Sequence, residues 1–414
     1  MQLRLSTGWC DALGAQDLPP TSIHSSMLSS AFRLAPYVLL LLLLSILPQL
    51  TMSSKPTTGL AARLARPNIL ELQPYRCARD DYSSGVLLDA NENAFGPAVP
   101  VDPYVLERYP DPYQIPLKEK LVAYRGHGLT PANVFCGVGS DEAIDLLMRI
   151  FCKPGQDKIL QTPPTYGMYK VCAKTNDVEI VNVPLTPTFD LVIPEILAAI
   201  TPEVKLVFLC SPGNPTSKAL PLKDLESVIQ QAPNTLIVVD EAYVDFSDQG
   251  SAVALVNQYP NVVVLQTLSK AFGLAAIRCG FCIGPADIIQ LMNNVKAPYN
   301  INALTSQMAL NAMDQTDKLQ ENIRALLDQR TIVMEALEKL EFVTKVYPSD
   351  ANFILFRLAK NAQAVYKKMA DEGVVTRYRG TEMHCDECIR VTVGTPSENE
   401  AFLAALKSTY DALL

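Results

Sequence analysis

The chain has 414 residues, of which 49% are hydrophobic and 19% charged, with a formal net charge of −8 at pH 7. That length exceeds one ordinary hydrophobic core, so two domains, or a domain and a subdomain, are expected of a globular enzyme. The acidic balance, with no long Lys/Arg cluster, argues against a nucleic-acid partner and leaves anionic substrates to individually placed arginines.

Residues 1–58 do not read like the remainder. Val38 to Leu47 is an apolar run that includes Leu39 to Leu44, preceded by Arg33. It falls short of the ~18–20 apolar residues that a membrane span needs. Three readings are open: an upstream in-frame extension, a targeting segment, or a membrane anchor. The first is favoured, because nothing downstream requires a membrane and Met52-Ser53-Ser54-Lys55-Pro56 reads as a translation start. Trp9, the single tryptophan, lies in this extension.

Residues 59–115 are proline-punctuated and irregular, which suits an arm lying on another surface. Residues 116–300 alternate short β-rich runs with helical stretches such as Pro221–Gln231, a βα series that predicts a mostly parallel sheet. From Asn302 to Leu340 there is no Gly or Pro, and the pattern predicts one long helix. It opens residues 301–414, a linking helix and a smaller α/β domain with strands at Asn352–Arg357 and Ile389–Val393.

The chemistry concentrates at strand ends. Val134-Phe135-Cys136-Gly137-Val138-Gly139-Ser140-Asp141 leads into a helix with apolar positions 144, 147, 148 and 151. Free backbone amides and the helix dipole make such a start an anion site. After the strand Lys158–Gln161 comes Pro163-Pro164-Thr165-Tyr166, where Tyr166 is placed to stack on a ring. The strand Lys205–Cys210 runs into Ser211-Pro212-Gly213-Asn214-Pro215-Thr216, a proline-fixed turn that presents the Asn214 amide. Leu236-Ile237-Val238-Val239 ends in Asp240, with Tyr243 three residues on, and reads as a buried parallel strand with a carboxylate at its tip. Val262–Leu265 precedes Thr267-Leu268-Ser269-Lys270, and Arg278 follows. A lysine beside a serine and an arginine that can neutralise a phosphate is what a pyridoxal-phosphate enzyme needs for its Schiff base. A carboxylate such as Asp240 keeps the pyridine nitrogen protonated.

In this order the segments resemble the class II aminotransferases of fold type I, the aspartate-aminotransferase fold. Within them Leu88-Asp89-Ala90-Asn91-Glu92-Asn93, Arg108-Tyr109-Pro110-Asp111, Pro164-Thr165-Tyr166-Gly167-Met168-Tyr169 and Ile389-Arg390-Val391-Thr392-Val393-Gly394-Thr395 look like the histidinol-phosphate aminotransferases, from about residue 59 onward. Ser217, Ala276 and Ala94 stand where that family often has glycine, glycine and proline.

The resemblance implies pyridoxal 5′-phosphate on Lys270, with Asp240 at the ring nitrogen and Asn214 and Tyr243 at the phenolic oxygen. Ser140, Asp141, Ser269 and Arg278 would surround the phosphate. It implies a cytoplasmic homodimer in which Tyr109 reaches the neighbouring subunit's cofactor and Tyr75 assists at the substrate. Arg390 would take a carboxylate and Arg377 the substrate phosphate, with Arg379 two residues away left open. The substrates implied are L-histidinol phosphate, 2-oxoglutarate and L-glutamate. An aromatic amino-acid or phosphothreonine-type enzyme of the same fold, or a non-catalytic cofactor-binding module, are the rivals.

Ten cysteines include the pairs Cys279/Cys282 and Cys385/Cys388, whose spacing also permits a four-thiolate zinc site. No metal is expected, because the first pair sits in a strand that aims its members in different directions. The three histidines, His24, His127 and His384, form no ligand pattern.

Overall fold

The computed structural model describes residues 59–413 except 83 and 101–104. The leucine run, Trp9 and Met52 lie outside the described residues.

Seven strands form the large sheet: β1 (Val134–Val138), β2 (Lys158–Gln161), β3 (Glu179–Asn182), β4 (Val204–Cys210), β5 (Leu236–Asp240), β6 (Val262–Thr267) and β7 (Cys279–Ile283). Their order is β1-β7-β6-β5-β4-β2-β3. The pairs from β3 through β6 are parallel, and β7 runs antiparallel to both β6 and β1. The unbroken apolar runs of β4, β5 and β6 are explained by cover on both faces. Alternate residues go to opposite layers: Val207, Leu209, Ile237, Val239, Val262 and Val264 enter one core. Leu206, Phe208, Leu236, Val238, Val263 and Leu265 enter the other. Helices α1 (Ile115–Arg125) and α4 (Leu222–Gln231) contribute to the first core; α2 (Gly139–Phe151), α3 (Met168–Thr175) and α5 (Ala286–Val295) contribute to the second.

The expected single helix across 302–340 is two, α6 (Ala303–Met313) and α7 (Thr316–Glu338). No Gly or Pro marks the break. Asp314, a weak helix former, turns its carboxylate to Lys120 of α1, and the backbone closes on itself there through Asp314 and Gln315. An exposed ion pair with Lys120 sits at the break.

A second, antiparallel sheet has the order β10-β11-β9-β8, from β8 (Val343–Val346), β9 (Phe353–Leu358), β10 (Arg377–Tyr378) and β11 (Cys388–Thr392). Helices α8 (Ala362–Asp371) and α9 (Pro396–Asp411) share its core. Thr395 and Glu398 close a capping box at the start of α9, with Pro396 in its first turn.

Before α1, the helical turns Leu60–Leu64 and Pro67–Leu70 pack Leu60, Ala61 and Ile69 into the interior. The following segment is largely irregular and leaves Tyr75, Tyr82, Val86, Leu88, Phe95, Val99, Val105 and Tyr109 exposed. Among the described residues no helix is long and apolar enough to cross a membrane.

Candidate active site

Strands β4, β5 and β6 are parallel, so their C-terminal ends meet at one sheet edge, where open α/β sheets bind ligands. Cys210 and the Ser211–Thr216 turn end β4, Asp240 ends β5, and Thr267 ends β6 just before Lys270. Because β7 is antiparallel to β6, its first residues return to that edge and bring Arg278 with them. Because β1 is antiparallel to β7, it too ends there, at Gly139 and Ser140. Topology thus gathers these five distant stretches around one cavity of about 490 Å³.

The floor is Asp240. It is buried, and its Oδ2 accepts the Tyr169 hydroxyl hydrogen at 2.6 Å. Its Oδ1, also buried, has no partner among the described residues. Burial pushes the Asp240 carboxyl up to about 6, against the pull of the Tyr169 hydroxyl, the Ala242 backbone N–H and the Lys270 charge. An unsatisfied carboxylate oxygen in such a place calls for a donor from within the cavity.

One wall is an anion cradle. Arg278 Nη2 pairs with Asp141 Oδ2 at 3.0 Å, and its Nη1 lies 3.4 Å from Ser269 Oγ. Ser269 is held by Thr267, whose Oγ1 accepts the Ser269 N–H at 3.1 Å. Gly139 N–H donates to Arg278 O at 3.0 Å. Two glycines permit this approach. A Cβ on Gly139, at φ +70°, would lie 2.5 Å from Arg278 Nη2, and one on Gly280 would meet Ser140 N at 2.2 Å. The start of α2, with its free amides, therefore faces a guanidinium and a serine. Tyr166 donates to Asp141 Oδ1 at 3.1 Å, and burial raises its hydroxyl above the ordinary range.

Lys270 lines the cavity and has no carboxylate partner among the described residues. Its Nζ lies 5.4 Å from the Tyr243 ring centroid. Burial, then the charge of Arg390, lowers its amine below the ordinary lysine value, which favours the neutral, nucleophilic form. Tyr243 is buried against Phe353, and burial raises its hydroxyl.

The opposite wall belongs to the second sheet. Arg377 and Arg390 are directly paired across β10 and β11. Arg390 Nη1 donates to Asn214 Oδ1 at 2.5 Å. Arg379, left open by the sequence, also lines the cavity and pairs with Glu382 at 2.8 Å.

Of the residues expected in the site, Ser140, Asp141, Tyr166, Asn214, Asp240, Tyr243, Ser269, Lys270, Arg278, Arg377 and Arg390 line this one cavity. Tyr75 and Tyr109 do not. Tyr109 is 52% exposed and stacks on Tyr299 at 4.7 Å, and Tyr75 is 67% exposed. Sequence reasoning missed Tyr169 as a support of Asp240. The signal was the pair Tyr166 and Tyr169 at the entry to α3, whose rings meet edge to face at 5.7 Å. Cys210, at the end of β4, is buried and also lines the cavity. Cys279 and Cys282 enter opposite core layers, and no group of three or more His, Cys, Asp or Glu side chains among the described residues is arranged to hold a metal.

The sequence profile of the family "Aminotransferase class I and II" matches residues 101–406. The chain belongs to the class I and II aminotransferases. Among its relatives is the histidinol-phosphate aminotransferase of Schizosaccharomyces pombe, 48% identical over 83% of this chain and 95% of that protein. The protein of the same name from Saccharomyces cerevisiae is 43% identical over 84% of this chain and 97% of its own length. Among solved structures, the Sinorhizobium meliloti histidinol-phosphate aminotransferase in complex with pyridoxal-5'-phosphate matches with a TM-score of 0.70 and 25% identity, covering 78% of this chain and 90% of that one. The chain is thus of the same fold and close kin to the histidinol-phosphate enzymes.

Proposed function

We propose that this chain moves an amino group between L-histidinol phosphate and 2-oxoglutarate, giving imidazole acetol phosphate and L-glutamate, in the biosynthesis of histidine. The observation that carries the reading is one cavity holding, among the described residues, a lysine free of ion pairs, a carboxylate with an unsatisfied oxygen, an anion cradle and three arginines. The names of relatives at 40–48% identity support it.

The lining fits pyridoxal 5′-phosphate. Asp240 Oδ1 lacks the donor that a protonated pyridine nitrogen provides. Ser140, Asp141, Ser269 and Arg278 suit its phosphate, Tyr166 its ring face, and Asn214 and Tyr243 its phenolic oxygen. When bound, the cofactor supplies an electron-withdrawing ring that stabilises negative charge on the substrate carbon. Lys270 would hold the cofactor through its Nζ, and the same Nζ, once free, would carry the proton of the substrate's amine-bearing carbon. Tyr169 keeps Asp240 ionised and oriented. Arg377 and Arg390 bind the substrate phosphate in one half-reaction and the carboxylates of glutamate or 2-oxoglutarate in the other.

We assign the exposed apolar arm to a homodimer in the cytoplasm, with Tyr109 reaching the partner's cofactor phosphate and Tyr75 the partner's substrate. In this reading residues 116–300 form the cofactor-binding domain, 59–115 the arm and part of the small domain, and 301–414 the linker and the rest of that domain.

The deciding experiment is an amino-transfer assay on purified protein with L-histidinol phosphate and 2-oxoglutarate, beside aromatic amino acids and phosphothreonine. Glutamate formed from histidinol phosphate at least as efficiently as from the others supports the reading. Preference for an aromatic amino acid, or cofactor absorbance without turnover, overturns it.

A further inference from the structure

The cavity holds three arginines on the second-sheet side, and they are not equivalent. Arg377 and Arg390 have no carboxylate partner among the described residues, whereas Arg379 Nη1 is tied to Glu382 Oε1 at 2.8 Å. Arg379 is also anchored through its backbone, whose N–H donates to Cys388 O at 2.8 Å. Its Nη2 reaches Asn214 Oδ1 at 3.5 Å, and Arg390 Nη1 meets the same oxygen at 2.5 Å.

Guanidinium groups carry only donors. Two of them on one side of Asn214 therefore allow one amide orientation: Oδ1 toward the arginines and Nδ2 toward the cavity. Nδ2 makes no hydrogen bond among the described residues, and Asn214 lines the cavity. The two arginines differ in what a substrate does to them. Arg390, without a counter-ion, turns its donors to an incoming anion and shares them with Asn214. Arg379, already neutralised by Glu382, stays where it is.

We propose that Arg379 is a positioning residue: held by Glu382, it keeps the Asn214 amide turned so that Nδ2 donates to the cofactor's phenolic oxygen throughout the catalytic cycle, and it takes no part in binding the substrate anion. This rests on the cofactor assignment made above. Glu382 has a second effect, since it withholds one cation from a cavity that already presents Lys270, Arg278, Arg377 and Arg390.

The test is a pH titration of the visible absorbance of the cofactor-loaded protein without substrate. Donation from Asn214 to the phenolic oxygen weakens that oxygen's hold on the proton of the neighbouring nitrogen, so its loss raises the titration midpoint. Arg379→Gln is expected to raise it by about one pH unit, the worth of one hydrogen bond. Asn214→Ala should raise it similarly, and the double variant should add nothing further. Arg379→Lys, which keeps charge but loses the two-pronged geometry, should fall between. Glu382→Gln leaves the fold's backbone contacts in place and frees Arg379, so inorganic phosphate should compete with substrate about tenfold more strongly. A midpoint unmoved by Arg379→Gln, with the Michaelis constant for histidinol phosphate raised instead, makes Arg379 a substrate-anion residue and overturns the proposal. Additive shifts in the double variant also overturn it. Absence of any visible absorbance in the unmodified protein defeats the cofactor assignment itself, and the two failures are distinguishable.

Discussion

Tyr169 donates its hydroxyl hydrogen to Asp240 Oδ2 at 2.6 Å, which leaves only Oδ1 of that buried carboxylate to be satisfied from the cavity. Tyr169 is itself fully buried and stacked on Phe208 at 4.7 Å, with the Cys210 thiol as the other polar neighbour of its hydroxyl. Tyr169→Phe should keep the packing and lose the bond. A hydrogen bond to a charged group is worth ~1.5–3 kcal/mol, so turnover should fall roughly ten- to hundredfold. Asp240→Ala should fall much further, because the ring nitrogen then has no counter-charge. Steady-state rates equal to the unmodified enzyme in either variant would reduce the pair to packing.

Lys270 is expected to be the residue that carries the cofactor. Borohydride reduction of the loaded protein should fix the cofactor on the peptide containing Lys270, read by mass spectrometry. Label on any other lysine sinks the assignment. Lys270→Ala should bind cofactor without a covalent link and fail to turn over repeatedly.

Arg377 lines the cavity without a counter-ion among the described residues, so its removal should be felt through substrate charge. Arg377→Ala should raise the Michaelis constant for histidinol phosphate by roughly one to two decades and that for glutamate by less. Equal effects on both substrates would point to a general carboxylate site.

Glu241 gives a prediction about stability. It follows Asp240 but points to the other side, where Ser251 and Gln266 donate to its Oε2 and Ala252 N–H to its Oε1. Burial pushes its carboxyl up to about 7 in spite of those bonds. The folded chain therefore binds a proton more tightly than the unfolded chain. The sign follows: this site's contribution is present at low pH and is lost as pH rises from about 4.5 to about 7. Glu241→Gln removes the titration, and the buried, unpartnered Gln266 Oε1 can turn to accept from the new amide. Relative to the unmodified protein, the variant should gain up to about 3 kcal/mol between pH 5 and pH 8. Thermal melts of both proteins at the two pH values measure this, and a constant gap would refute it.

Much of the site was readable because its chemistry sits at strand tips. The apolar runs of β4, β5 and β6 locate the sheet's centre, and Asp240, Asn214 and Lys270 follow those runs directly. What escaped depends on relations between distant residues. Nothing in Cys279–Ile283 sets the direction of β7, yet that reversal delivers Arg278 to the cradle. The break after α6 has no breaker residue to announce it and lies where Asp314 meets Lys120 of α1. Arg377 and Arg379 are alike in sequence, and it is tertiary contact with Glu382 and Asn214 that sets Arg379 apart. Ser217, which stands where the family often has glycine, adopts φ +59°, a left-handed conformation that explains the glycine but that no local pattern announces.

The antiparallel insertion of β7 has a mechanical consequence. Strand β1 lies at the sheet border and touches the rest of the sheet only through β7. An anion lodged between the start of α2 and Arg278 ties that border strand's exit to the entry of β7. Loading with cofactor should then act as a clasp against local fraying, by RT ln(1 + [L]/Kd) for openings that break the cradle. Amide hydrogen exchange would register it as slowing in Val134–Val138 and Cys279–Ile283, while β3 at the far border exchanges at the same rate with and without cofactor.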